Sequence, residues 1–254
     1  YFDAALEAAV NQFQQRHGLE PDGVAGRQTL EALNISVEDR IDQIRVNLER
    51  SRWVFKDIQG DFFIINIAGF KAYFVRDNQL VWTSRVMVGR PYRKTPVFKS
   101  EIKYMILNPT WTVPPVILRN DVLPRARIDP GYIEEQRFVV LDREGKHIDP
   151  AGIDWTAYTG KNFPYILRQE PGPDNALGRL KFVFPNSHFV YLHDTPHKEL
   201  FDKPQRTFSS GCIRIENPLE LAALLLNDQE KWNQQKITEA IATEETQTIN
   251  LPEP

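Results

Sequence analysis

"FFIINIAGFKAYFVRDNQLVWTSRVMVG", residues 62 to 89, decides the fold class. β-branched and aromatic residues fill it. Gly69 interrupts it once and "RDNQ", residues 76 to 79, interrupts it again, so it reads as three strands joined by tight connections. Residues 99 to 115, "KSEIKYMILNPTWTVPP", add another strand or two and stop at a double proline, which has no place inside a central strand. Strands return at "LKFVFPN" (180 to 186) and "HFVYLHD" (188 to 194). Between these groups, residues 117 to 177 lose their alternation and fill with Pro, Gly and Asp. So long a structureless run is unusual in a compact domain, and it is expected to be an inserted lid with some helix of its own.

Helical periods flank the strands. Ala5, Leu6, Ala9, Val10 and Phe13 form a stripe over residues 3 to 16, and a turn rich in glycine (Gly18, Gly23, Gly26) precedes a short helix from Arg27 to Leu33. Ile41, Ile44 and Leu48 carry the period on, as in a connecting helix. Near the other end Asn217 reads as an N-cap with Pro218 at N1, ahead of "LELAALLL". Beyond Asn227 the chain turns polar and is expected to end in frayed residues. The expected architecture is a mainly β domain with flanking helices and an inserted lid, preceded by a small all-α segment.

Composition excludes several roles. Hydrophobic residues at 41% and charged ones at 26% describe globular material. A net charge of -3 without any Lys/Arg-rich run argues against nucleic acid as a partner. A single cysteine excludes an internal disulfide and a cysteine-rich metal cage. His193 and His197 have metal-pair spacing, but Pro196 opposes the helix such a pair needs, so no metal is expected. There is no apolar run long enough for a membrane span, no signal peptide and no initiator Met, which reads as a mature form or part of a longer protein.

The lone thiol, Cys212, lies in "RTFSSGCIRIENP", residues 206 to 218. A cysteine nucleophile needs a base or positive charge nearby and an open approach. Ser209, Ser210 and Gly211 provide the approach, and backbone N–H groups at Gly211 and Cys212 are candidate donors to an oxyanion. Of the five histidines, His193 at the end of an apolar strand is the best candidate base. Tyr191 precedes it by two residues and shares its face, and Arg214 stands in the same relation to Cys212. Each feature also has a plain structural reading: lone cysteines are more often inert apolar residues, and strand-end histidines are more often surface groups.

"YLHDTP" followed by "FSSGCIRI" resembles the active-site signature of the YkuD-type L,D-transpeptidases, bacterial cysteine enzymes that cross-link peptidoglycan. His193, Ser209, Gly211, Cys212, Ile213 and Arg214 fall on the pattern, and Ser210 departs from it where many members have histidine. Gly89, Thr95 and Pro96 are similar to the family's Gly…Thr-Pro segment. "AVNQFQQRHGLEPDGVAGRQTLEAL" resembles part of a peptidoglycan-binding domain through Phe13-Gln14, Gly18-Leu19, Asp22-Gly23 and Gly26 to Thr29. "NPTWTVPP" and the insertion resemble the large Gram-negative members with a substrate-capping subdomain.

The resemblance implies a partial peptidoglycan-binding domain at 1–35, a connecting helix at 36–58 and a β-sandwich catalytic domain at 59–254, with 117–177 as its lid. It also implies that Cys212, activated by His193, makes a thioester from a tetrapeptide stem with loss of D-Ala, and that a second stem's amine resolves it into a 3-3 cross-link. Gly211 and Tyr191 would assist the oxyanion; Arg214, Ser209, Ser210 and Trp111 would bind substrate. No cofactor is implied. Expected partners are peptidoglycan stems, a carbapenem adduct and other cell-wall synthesis proteins, in a periplasmic setting with an N-terminal membrane anchor. Alternatives using the same thioester are an L,D-carboxypeptidase and a transferase of lipoprotein to peptidoglycan; a non-catalytic wall-binding scaffold is a third.

Overall fold

The computed structural model describes residues 1–56, 58 and 60–252. Two compact units emerge: residues 1–86 with 199–206, and residues 87–198 with 207–254. The expected connecting helix ends within the described residues at Phe55, and positions 57 and 59 of its expected span lie outside them.

The first unit opens with α1 (Ala4–Arg16), α2 (Arg27–Leu33) and α3 (Val37–Phe55). Asp3 and Ser36 cap α1 and α3 by accepting from Leu6 N and Asp39 N. Gln14, buried at the end of α1, explains why the glycine-rich turn has its sequence. Its Nε2 donates to Asp22 Oδ1, Val24 O and Thr29 Oγ1, and its Oε1 accepts from Gly23 N at 3.0 Å. Gly23 sits at φ +71°, where an added Cβ would also come within 2.8 Å of Glu7. The apolar stripe of α3, Ile41, Ile44 and Leu48, is exposed. The predicted three strands follow as an antiparallel meander: β1 (Phe62–Asn66), β2 (Lys71–Arg76) and β3 (Gln79–Gly89), turned by Asp77 and Asn78 at positive φ.

In the second unit β4 (Tyr104–Leu107) leads into the insertion. There β5 (Trp111–Thr112), α4 (Pro115–Ile117), a π-helical turn at Leu118–Val122, α5 (Leu123–Ile128), α6 (Tyr132–Glu135), β6 (Phe138–Leu141), β7 (His147–Ile148) and β8 (Ile166–Gln169) follow one another. β5, β8, β6 and β7 make a sheet of their own in that order, over a core that includes Val122, Leu123, Ile133, Val140 and Leu167. The expectation of a lid with some helix of its own did not include this sheet, because its strands are two to four residues long and too short to show alternation.

The chain then returns through β9 (Leu180–Val183), β10 (Leu192–His193), β11 (Thr207–Ser209) and β12 (Ile213–Ile215), then α7 (Pro218–Leu226), α8 (Gln234–Ala242) and β13 (Gln247–Asn250). β13, β4, β9 and β10 pair antiparallel in that order, and β12 joins β10 in parallel. Leu180, Phe182, Leu192, Ile213 and Ile215 are buried on alternate positions, leaving the residues between them on the opposite face.

Two expectations at the C-terminal end need correction. Pro218 does open α7, but the Asn217 side chain makes no capping hydrogen bond. The polar segment after Asn227 is ordered structure: Ile237 of α8 is fully buried, and β13 pairs residue for residue with β4, from Gln247 opposite Leu107 to Asn250 opposite Tyr104. A lone edge strand needs only one apolar face, which Ile249 between polar neighbours barely announces. Residues 253 and 254 of the expected frayed end lie outside the described residues.

Candidate active site

Gly211 has φ +119°, a region closed to side-chain-bearing residues, and this turn delivers Cys212 to the entrance of β12. Ser209, buried, braces the turn by donating from Oγ to Cys212 O while accepting from Gly211 N at 3.1 Å. Thr95 clamps it from the other side, donating to Gly211 O at 2.8 Å and accepting from Gly89 N at 2.9 Å. A Cβ on Gly89 would lie 2.1 Å from Arg93 O, so only glycine allows this approach. The glycine and the Thr-Pro segment are therefore a scaffold for the cysteine turn.

Register places the other candidates. His193 is in register with Arg214 on β12 and with Lys181 on β9. Ile213 N donates to Tyr191 O, which extends the ladder back to Cys212. Side chains in register share a face, so Tyr191, His193, Cys212, Arg214 and Lys181 project together, opposite the buried Leu192, Ile213 and Phe182. Cys212, Tyr191, Arg214 and Lys181 are half-buried and His193 is 4% exposed.

The comparisons agree with this geometry. Residues 60–235 match the YkuD family, described as an L,D-transpeptidase catalytic domain. The chain belongs to that family. Residues 1–33 match a family described as "Putative peptidoglycan binding domain". A Haemophilus influenzae protein named "Putative L,D-transpeptidase" is 39% identical over 225 residues, which cover 87% of this chain and 45% of that protein. The chain thus spans less than half the length of the curated relative it matches.

In this L,D-transpeptidase domain the electrostatics are unlike those of a thiolate–imidazolium pair. His193 Nδ1 lies 2.5 Å from the carbonyl of Asp194, which can only accept; Nδ1 therefore carries the proton and Nε2 is the basic atom. Burial first, then Arg214 and Lys181, push the His193 pKa down to about 3, against the opposing pull of the Asp194 and Leu177 carbonyls. Burial also raises the Cys212 thiol, opposed by a backbone hydrogen bond from Tyr191 and by the charges of Lys181 and Arg214. At rest both partners are neutral. The surrounding cations favour the thiolate and disfavour the imidazolium.

The predicted residues separate into groups. Cys212, His193, Tyr191 and Arg214 come together on one face. Gly211 and Ser209 build the turn, and the Gly211 N–H is held by Ser209 Oγ. Ser210 is exposed and accepts from Arg93 at 2.9 Å; Arg93 also binds Asp121 of the insertion. Trp111 is not on the strand face: it pairs opposite Gln169 in the insertion's sheet and packs 6.0 Å from Phe138. Lys181 and Arg93 were missed. The signal for Lys181 was present, since one charge interrupts "LKFVF" at the position where alternation turns away from Leu180 and Phe182.

Proposed function

We propose that this protein is a peptidoglycan L,D-transpeptidase working through a cysteine thioester. What carries the reading is the half-buried Cys212 sharing a strand face with His193, whose Nδ1 is tied to the Asp194 carbonyl so that Nε2 can take a proton. Cys212 Sγ attacks the peptide carbonyl that precedes the terminal D-Ala of a tetrapeptide stem. The sulfur's proton passes to His193 Nε2 and on to the departing D-Ala nitrogen, and a thioester remains. The side-chain amine of a second stem then attacks; His193 removes its proton, the amide forms, and the thiolate leaves and is reprotonated. In this reading the Cys212 amide and the Tyr191 hydroxyl support the oxyanion.

Membership of the family, together with the match to a peptidoglycan-binding domain, supports the wall peptide as substrate. The periplasm is the compartment where that substrate is made accessible, and other wall-synthesis proteins are the fitting partners. Incubation with purified tetrapeptide stems, followed by mass spectrometry, tests the acceptor. Cross-linked dimers with loss of D-Ala are expected; tripeptides would indicate water as acceptor, and stems bound to a lipoprotein lysine would indicate a protein acceptor. Absence of every product and of a carbapenem adduct at Cys212 would mark a wall-binding scaffold.

A further inference from the structure

The face around Cys212 carries charge of one sign. Lys181 is in register with His193, half-buried, its Nζ 3.7 Å from the centre of the Tyr191 ring. Arg214 lies in register on the other side of His193, and its Nε is buried with no hydrogen-bond partner. Burial weakens the protonated form of both, and among the described residues the anion that each one senses is the Cys212 thiolate. Three other cations of the same unit, by contrast, have carboxylate partners: Arg93 has Asp121, Lys198 has Asp194 and Arg168 has Glu170. A buried cation without a counter-ion is held against its own solvation, so a pair of them beside a reactive thiol marks where a ligand's anion belongs.

We propose that Lys181 and Arg214 form a carboxylate seat beside the thiol, and that Lys181 sets specificity by reading the terminal carboxylate of the single residue that acyl transfer expels. This rests on the acyl-transfer reading above. A C-terminal carboxylate sits on the carbon bonded to the scissile nitrogen, within a few bonds of the carbonyl under attack. A stem one residue longer puts a neutral amide there and leaves the cations unpaired, which is a strong basis for rejection. The seat also couples recognition to chemistry, because an arriving carboxylate offsets the charges that depress the basicity of His193.

The test compares tetrapeptide donors ending in a free carboxylate or a C-terminal amide. Wild type should favour the acid in kcat/KM by about 10- to 100-fold, the range of a charge-assisted hydrogen bond. Lys181→Met should bring that ratio towards unity, and Lys181→Arg should restore part of it. A second readout needs no turnover: the rate of Cys212 alkylation by anionic iodoacetate relative to neutral iodoacetamide should fall in Lys181→Met. If the alkylation ratio falls while neither donor reacts in wild type, the seat stands and the acyl-transfer reading fails. Unchanged ratios in Lys181→Met, or equal losses with acid and amide donors, would overturn the seat.

Discussion

Two charged clusters flank His193 within one compact unit, and they are built on opposite terms. On one side Asp194 is buried and satisfied: Oδ2 accepts from Arg179 N at 2.9 Å, Oδ1 from Lys198 Nζ at 2.5 Å, and Lys198 also donates to Glu216 O at 2.8 Å. The chain is shaped around that carboxylate, since a Cβ on Gly178, at φ +63°, would lie 2.4 Å from Asp194 Oδ2. On the other side Lys181 and Arg214 flank His193 in register, without a carboxylate partner among the described residues. The first cluster contributes stability and fixes the imidazole through the Asp194 backbone. The second is a local imbalance that the fold tolerates beside the thiol, at the site proposed above for acyl transfer.

The largest effect belongs to the thiol beside the second cluster. Cys212→Ala should abolish cross-link formation and covalent labelling by a carbapenem while leaving thermal unfolding near that of wild type; retained cross-linking would refute the nucleophile. Next comes the satisfied cluster itself. Asp194→Ala takes a carboxylate from the Arg179 amide and from Lys198, whose side chain is 45% exposed, and should lower stability by about 1–3 kcal/mol in urea unfolding. A loss under about 1 kcal/mol would mean that Asp194 is not the structural anchor the geometry makes it.

The same contrast explains what could be read from residues alone. The three-strand meander, α1 to α3 and Pro218 at the start of α7 were legible because β-branched runs, helical stripes and proline act locally. Cys212, His193, Tyr191 and Arg214 were legible as alternating positions on two strands. For Lys181 only the charge interrupting "LKFVF" was legible; its meaning comes from register, and nothing in the sequence places that strand beside "YLH" with Lys181 next to His193. The insertion's sheet and β13 were hidden for a related reason, since short strands gain their identity from the partners they find. Gly211 looked like an open oxyanion donor because sequence does not show that Ser209 Oγ already holds its N–H.

The cationic side also leaves a mark on stability against pH. The His193 pKa in the folded protein, about 3, lies below its unfolded value, so between these limits the unfolded chain binds the extra proton. The contribution is complete above the unfolded pKa and is lost as pH falls towards the folded one. From pH 7.5 to pH 5 it should remove about 2 kcal/mol. His193→Gln should flatten the acid limb of the unfolding curve by that amount, and an unchanged limb would mean that the ring is not held neutral.

The smallest effect has the most informative sign. Lys181 is half-buried with the Tyr191 ring beneath its ammonium and no carboxylate partner among the described residues, so the folded state gains little from its charge. Replacing it with methionine keeps the length and apolar body of the side chain and removes the desolvated charge. Lys181→Met should therefore unfold within about 1 kcal/mol of wild type, or at higher denaturant, in contrast to Asp194→Ala. A loss comparable to that of Asp194→Ala would place Lys181 with the structural cluster. A neutral or stabilising change, together with lost discrimination between acid and amide donors, would show that the charge is kept for the ligand and not for the fold.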